Sequence, residues 1–166
     1  MPQVPTGSLL ENCFVGEAIK PQTAAAAKSG DWVSLKGYEG VLFIIDIAQG
    51  NAATTAITLD AATAVAGTGN SNGKTMKRIW SITDTPQTAA TAITAVTAAA
   101  SVTSSATGTG SSIYLIDVKA DDYPDYDCVQ VELGASDVGN IAACLYICYG
   151  PRYTGSIGGI VDPRAD

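Results

Sequence analysis

The stretch DWVSLKGYEGVLFIIDI, Asp31 to Ile47, decides the fold. Its second half, Val41–Ile47, is β-branched and almost wholly apolar, the pattern of a strand in the middle of a sheet. Its first half alternates over Trp32–Leu35, and Lys36–Gly40 punctuates the two with Gly37 and Gly40. Two blocks near the other end have the same character: YDCVQVEL, Tyr126–Leu133, and IAACLYICYGPRY, Ile141–Tyr153. Between the outer blocks runs a long stretch of Thr, Ala, Ser and Gly with few charges, in a chain without histidine. That is the composition of a rigid β scaffold rather than of an active site.

Outward from these blocks the same reasoning places more strands. Thr54–Ala61 alternates Thr55, Ile57 and Leu59 against Ala56, Thr58 and Asp60, a half-buried strand. Gly67–Gly73 reads as an exposed loop. Lys74–Ile82 is expected to be a strand with Met76, Arg78 and Trp80 on one face. Ser112–Val118 is expected to turn Ile113, Leu115 and Asp117 one way and Tyr114, Ile116 and Val118 the other. Thr88–Val102, TAATAITAVTAAASV, has alanine enough for a helix and Thr, Val and Ile enough for a strand. The echo of Thr55–Thr58 in Thr91–Thr94 favours strands. About eight short strands at this spacing predict an all-β fold, an antiparallel β-sandwich or jelly-roll-like domain over residues 31–153. Residues 1–30 are expected to be an irregular N-terminal arm, because Pro2, Pro5 and Pro21 interrupt regular structure. Residues 154–166 read as an irregular C-terminal tail.

The totals restrict function. The chain has 166 residues, the size of one domain, and is 46% hydrophobic but only 15% charged. An average soluble domain is about 25% charged, so either a partner covers much of the surface or Thr and Ser hydroxyls solvate it. Both readings favour a homo-oligomer or larger assembly. The net charge of −7 and the absence of any basic run speak against nucleic acid, whose phosphates need a positive patch. The longest apolar runs, Val41–Ile45 and Ile141–Tyr149, are too short to span a bilayer as helices. The N-terminus lacks the pattern of a signal peptide, and a soluble product made in a cytoplasm is expected.

Without histidine, a Ser-His-Asp triad is excluded and a zinc site is not expected. The cysteines Cys13, Cys128, Cys144 and Cys148 form no C-x-x-C pair and read as buried free thiols. The end of GNSNGKT mimics a phosphate loop, but Gly69 and Gly73 are too close together and a strand follows. The acidic loop with Asp121, Asp122, Asp125 and Asp127 could offer oxygens to a cation, but it reads more simply as a solvated turn whose carboxylates cap backbone amides. No catalytic residue, cofactor or metal is expected. An enzyme would need a carboxylate pair such as Asp46 with Asp117. A carbohydrate-binding module would need an exposed aromatic platform, and Trp32 and Trp80 are the tryptophans available. The candidate partner contacts are the apolar arm residues Leu9, Leu10, Phe14 and Val15 and the C-terminal tyrosines Tyr123, Tyr126 and Tyr153, tyrosine being suited to interfaces.

Three blocks in order carry a resemblance. They are WVSLKGYEGVLFIIDI (Trp32–Ile47), TLDAATAVAGTG with the lysine and aromatic strand after it (Thr58–Trp80), and IYLIDVKADDYPDYDCVQVEL with a closing YGPRY (Ile113–Tyr153). The pattern resembles small virion proteins of tailed bacteriophages, of the capsid decoration (cement) type. The resemblance implies a non-enzymatic β domain that binds the major capsid protein on the outer surface of the head and stabilises it, often as a trimer. A head-fibre or tail adhesin with a carbohydrate-binding face is the alternative.

Overall fold

The structure, a computed structural model, describes residues 12–84, 92–105, 110–152 and 163–164. Among these, eleven strands and one short 3-10 turn make two antiparallel sheets. The strands are β1 (Cys13–Thr23), β2 (Lys28–Ser29), β3 (Val33–Ser34), β4 (Tyr38–Gln49), β5 (Ala56–Ala62), β6 (Arg78–Asp84), β7 (Thr94–Val96), β8 (Ser101–Thr103), β9 (Gly110–Lys119), β10 (Cys128–Leu133) and β11 (Ile141–Pro151). The six-stranded sheet runs β1-β11-β4-β9-β6-β7. The smaller sheet runs β2-β10-β5-β8, with β3 also paired to β10. The fold is an all-β sandwich, as the strand pattern predicts.

Alternation decides what lies between the sheets. From β4 come Val41, Phe43, Ile45 and Ile47, from β9 Tyr114, Ile116 and Val118, and from β11 Ala142, Cys144, Tyr146 and Cys148. They meet Ile57, Leu59 and Ala61 of β5 and Val129, Val131 and Leu133 of β10 in one core. Val41–Ile47 is indeed interior to its sheet, flanked by β11 and β9 over its whole length. The expected division of β9 holds, with Tyr114, Ile116 and Val118 buried and the alternate residues outside. All four cysteines are buried free thiols.

The chain shuttles between sheets. Among the described strands, β6 and β7 are the sole sequence neighbours that also pair with each other. The segment after Leu133 therefore carries the chain from the smaller sheet to the larger, rather than closing a hairpin between β10 and β11.

Three expectations need correction. First, the described part of residues 1–30 is not an irregular arm. β1 pairs with β11 from Cys13↔Tyr149 to Thr23↔Ile141, and β2 pairs with β10. Pro21 is tolerated because β1 is an edge strand and its ladder shifts register between Ile19 and Gln22, the setting in which a missing N–H costs no sheet bond. Gly16 also fixes β1 here, since a Cβ at that position would lie 2.3 Å from the Tyr146 ring and hydroxyl. Second, Met76 does not share a face with Arg78 and Trp80. A bend at Lys77 breaks the alternation, so Met76 is buried while Arg78 and Trp80 stand on the outer side. Third, strands among the described residues number eleven rather than about eight, because Thr88–Val102 holds all of β7 and the start of β8 and the N-terminal segment adds β1 and β2. Residues 88–91 of that ambiguous stretch lie outside the described residues. In the tail, Pro163 is buried and its carbonyl accepts the Ser34 N–H at 2.8 Å.

Candidate interaction face

The outer sides of the two sheets differ. On the smaller sheet, the outward residues of the β5–β10 ladder are Thr58, Asp60 and Ala62 beside Glu132, Gln130 and Cys128. The segment after β5 turns back along its edge, where Ser71 forms an antiparallel bridge to Ala61. Asp60 is buried, and its Oδ1 accepts the Gly73 N–H at 2.8 Å. Ser71 exchanges both backbone bonds with Ala61. This side is polar and covered by the chain itself.

The outer side of the six-stranded sheet is apolar and takes no part in the core. The register sets its side chains in rows across the strands. One row is Val15, Ile147, Leu42, Asp117 and Arg78. The next is Glu17, Leu145, Ile44, Leu115, Trp80 and Ala95. The third is Ala143, Asp46, Ile113 and Ile82. Ile141 and Ala48 continue the face below them. Val15, Leu145 and Ile141 are 46%, 44% and 49% exposed, and the rest shield one another partly. No strand among the described residues lies across these rows. A contiguous apolar surface of this kind marks a contact site.

One end of the face is closed by a charged cluster. Arg78 donates from Nε to Asp117 Oδ2 at 2.6 Å and from its two terminal nitrogens to the Asp122 carboxylate. Asp117 Oδ1 accepts the Tyr149 hydroxyl at 2.5 Å. Asp122 accepts the Lys119 N–H at 2.8 Å and pairs with Lys77 at 3.4 Å. Tyr149 reaches Asp117 by crossing β4 at Gly40, where a Cβ would lie 2.5 Å from the tyrosine hydroxyl and 2.7 Å from the Val118 carbonyl oxygen. Burial works to raise the Asp122 carboxyl, but the Arg78 and Lys119 hydrogen bonds outweigh it and hold the group below its usual range. Burial and the bond to the Asp117 carboxylate push the Tyr149 hydroxyl well above its ordinary value. Gly40→Ala is expected to cost about 1–3 kcal/mol, because the added methyl overpacks the crossing. Chemical denaturation checks it; an unchanged midpoint would mean that Tyr149 moves aside freely.

The structure distributes the candidate contacts unevenly. Val15 stands on the apolar face. Phe14 points the other way and stacks on Tyr146 with ring centroids 6.0 Å apart. Tyr123 and Tyr126 pack against the core beside the 71–75 segment. Tyr123 donates to the Thr75 carbonyl at 2.5 Å, and Lys74 lies 4.1 Å from the Tyr126 ring centroid. Burial and the neighbouring Asp122 charge push the Tyr123 hydroxyl up to about 12. Leu9, Leu10 and Tyr153 lie outside the described residues. Asp46 and Asp117 are not brought together: Asp46 sits opposite Ile113, four residues along β9 from Asp117. At ~3.3 Å per residue that is about 13 Å, beyond the separation at which two carboxylates share a glycosidic bond. Within the acidic loop, Asp122 caps the Lys119 amide, as the simpler reading of that loop expects.

Leu42, Ile44, Leu145 and Ile147 are not among the contacts expected from the sequence. Their signal lies in the runs Val41–Ile47 and Ile141–Tyr149, which are largely apolar on both sides of the pleat. Such a run marks a strand covered twice, and among the described residues the chain covers it once.

The described residues therefore form a two-sheet β-sandwich with one self-covered side and one apolar side that no described strand covers. No family model and no curated protein matches the sequence. Among solved structures, the chain is similar to the crystal structure of the SPBc2 prophage-derived protein YomS, at 8% identity and a TM-score of 0.40, over 82% of this chain and 92% of that one.

Proposed function

We propose that this chain is a non-enzymatic structural protein of a tailed-bacteriophage virion, held on the outer surface of the capsid, where it contacts the major capsid protein and stabilises the head. The observation that carries this reading is the open apolar face of the six-stranded sheet, a surface suited to permanent assembly. The three sequence blocks that resemble decoration proteins supply the particular setting. A capsid binder needs a stiff body, and the sandwich with its single core provides one. It also needs solubility before assembly, which the net charge of −7 favours. On this reading the protein is made in the host cytoplasm and assembles as a homo-oligomer. Several weak contacts made together then give firm attachment.

Co-sedimentation with heads of the source phage tests the proposal. Saturable binding at a fixed ratio to capsid subunits is expected. Failure to bind expanded heads, together with binding to a glycan array, would replace it with the head-fibre or tail adhesin reading. Trp80 on the open face is the residue such a lectin would use.

A further inference from the structure

We propose that the open face of the six-stranded sheet is covered by a second copy of this chain, in a face-to-face pair about a two-fold axis. The inference rests on the reading of the protein as an assembly component: the apolar face carries self-association, and the capsid contact falls to surfaces that the pair leaves outside.

Size comes first. Six strands at about 4.8 Å spacing and four rows at about 6.7 Å give a face of roughly 600 Å². Two such faces bury about 1,200 Å², enough for a specific interface. Left bare, the patch would match the largest apolar surface that soluble monomers ordinarily carry. Its centre holds Leu42, Ile44, Leu115, Ile113 and Leu145, the composition expected of a permanent contact between like subunits.

Charge then selects the partner. Asp46 stands within the apolar rows and has no ion-pair partner among the described residues. Leu115 lies at the middle of the face. From Leu115, Asp46 is one strand towards β11 and one row along, whereas Arg78 is one strand the other way and one row back. The two are therefore placed symmetrically about Leu115. A two-fold axis through Leu115, lying in the plane of the face and perpendicular to the line joining them, carries Asp46 of each copy onto Arg78 of the other. The same ladder spacings make the strands of the two copies cross at about 70°, near the orthogonal class of sheet packing. Arg78 is already oriented by Asp117 and Asp122, and each of its terminal nitrogens has a second N–H beyond the one given to Asp122. A single self-complementary face thus buries its apolar rows and gives each copy's Asp46 spare N–H donors on an arginine that Asp117 and Asp122 already neutralise.

The test is sedimentation equilibrium of the full chain from low to high micromolar concentration. The wild type is expected to be a dimer. Leu115→Asp is expected to be a monomer with an unchanged circular dichroism spectrum. Asp46→Lys removes the acceptor and sets an ammonium against the spare Arg78 N–H groups, and is expected to raise the dissociation constant by about tenfold or more. Val138→Asp, at an exposed position off the face, should leave the dimer intact. A monomeric wild type, a trimer, or a dimer that survives both Leu115→Asp and Asp46→Lys would overturn the proposal. Should Leu115→Asp unfold the chain, Asp46→Lys alone decides, since an exposed carboxylate is replaced there without loss of core. Head co-sedimentation is scored separately. A monomer that still binds heads saturably refutes the pairing and leaves the capsid reading standing, whereas a dimer indifferent to heads does the reverse.

Discussion

Phe43→Ala is expected to lower the unfolding free energy by about 3–5 kcal/mol, a large share of what a domain of this size possesses. Phe43 is fully buried in the central strand of the larger sheet, paired with Tyr146 on one side and Ile116 on the other. Its ring centroid is 6.5 Å from that of Tyr146. Truncation removes the ring from between two sheets that cannot close independently, because each is held by its own ladders. Leu42→Ala, one residue away on the outer side, is expected to cost under about 1 kcal/mol in dilute solution. Urea denaturation of the two variants checks the contrast. Equal losses would show that the outer side is as well packed as the core.

Arg78→Ala is expected to cost about 2–3 kcal/mol at neutral pH, less than a fully buried pair because the arginine side chain is 29% exposed. The variant leaves Asp117 and Asp122 side by side with one cation, Lys77, still near Asp122. The pH dependence gives a second readout. The folded-state value of Asp122 lies below the ordinary carboxylate value of 3.8. Its contribution is therefore complete above that value and is lost as pH falls through the depressed folded-state one. The gap between wild type and Arg78→Ala should narrow on acidification over that interval. A gap that stays constant in acid would mean that Arg78 contributes by packing its stem rather than by its charge. Tyr149 and Tyr123 act at the other extreme. Both hydroxyls are raised, so the stability they contribute is complete below the ordinary tyrosine value of 10 and is lost above it.

Much of the larger sheet was legible because its strands carry their own instructions. Val41–Ile47, Ser112–Val118 and Ile141–Tyr149 declare the middle of their strands and, for β9, which residues face inward, although β4 begins earlier, at Tyr38, inside the stretch expected to be a turn. What was not legible is non-local. Nothing in Cys13–Thr23 says that its partner is β11, because the side chain that fills the gap left by Gly16, Tyr146, lies more than a hundred residues away. Proline was read as ending regular structure, and that rule is weaker on an edge strand. The Lys77 bend moved Met76 to the core without any glycine or proline to announce it. The charged cluster was similarly hidden. Arg78, Asp117, Asp122 and Tyr149 come from β6, β9, the 3-10 turn after it and β11, and only the sheet order makes them neighbours.

The place of β11 in that order has a consequence for how the molecule comes to exist. The C-terminal-most of the described strands lies second in the sheet, between β1 and β4, and supplies both with their hydrogen bonds. During synthesis, β1 and one side of β4 must wait as unpaired edges until more than a hundred further residues have been made. Translation therefore works against early closure, and a nascent chain that stops before Ile141 has two apolar strand edges with nothing between them. Such edges attract other chains.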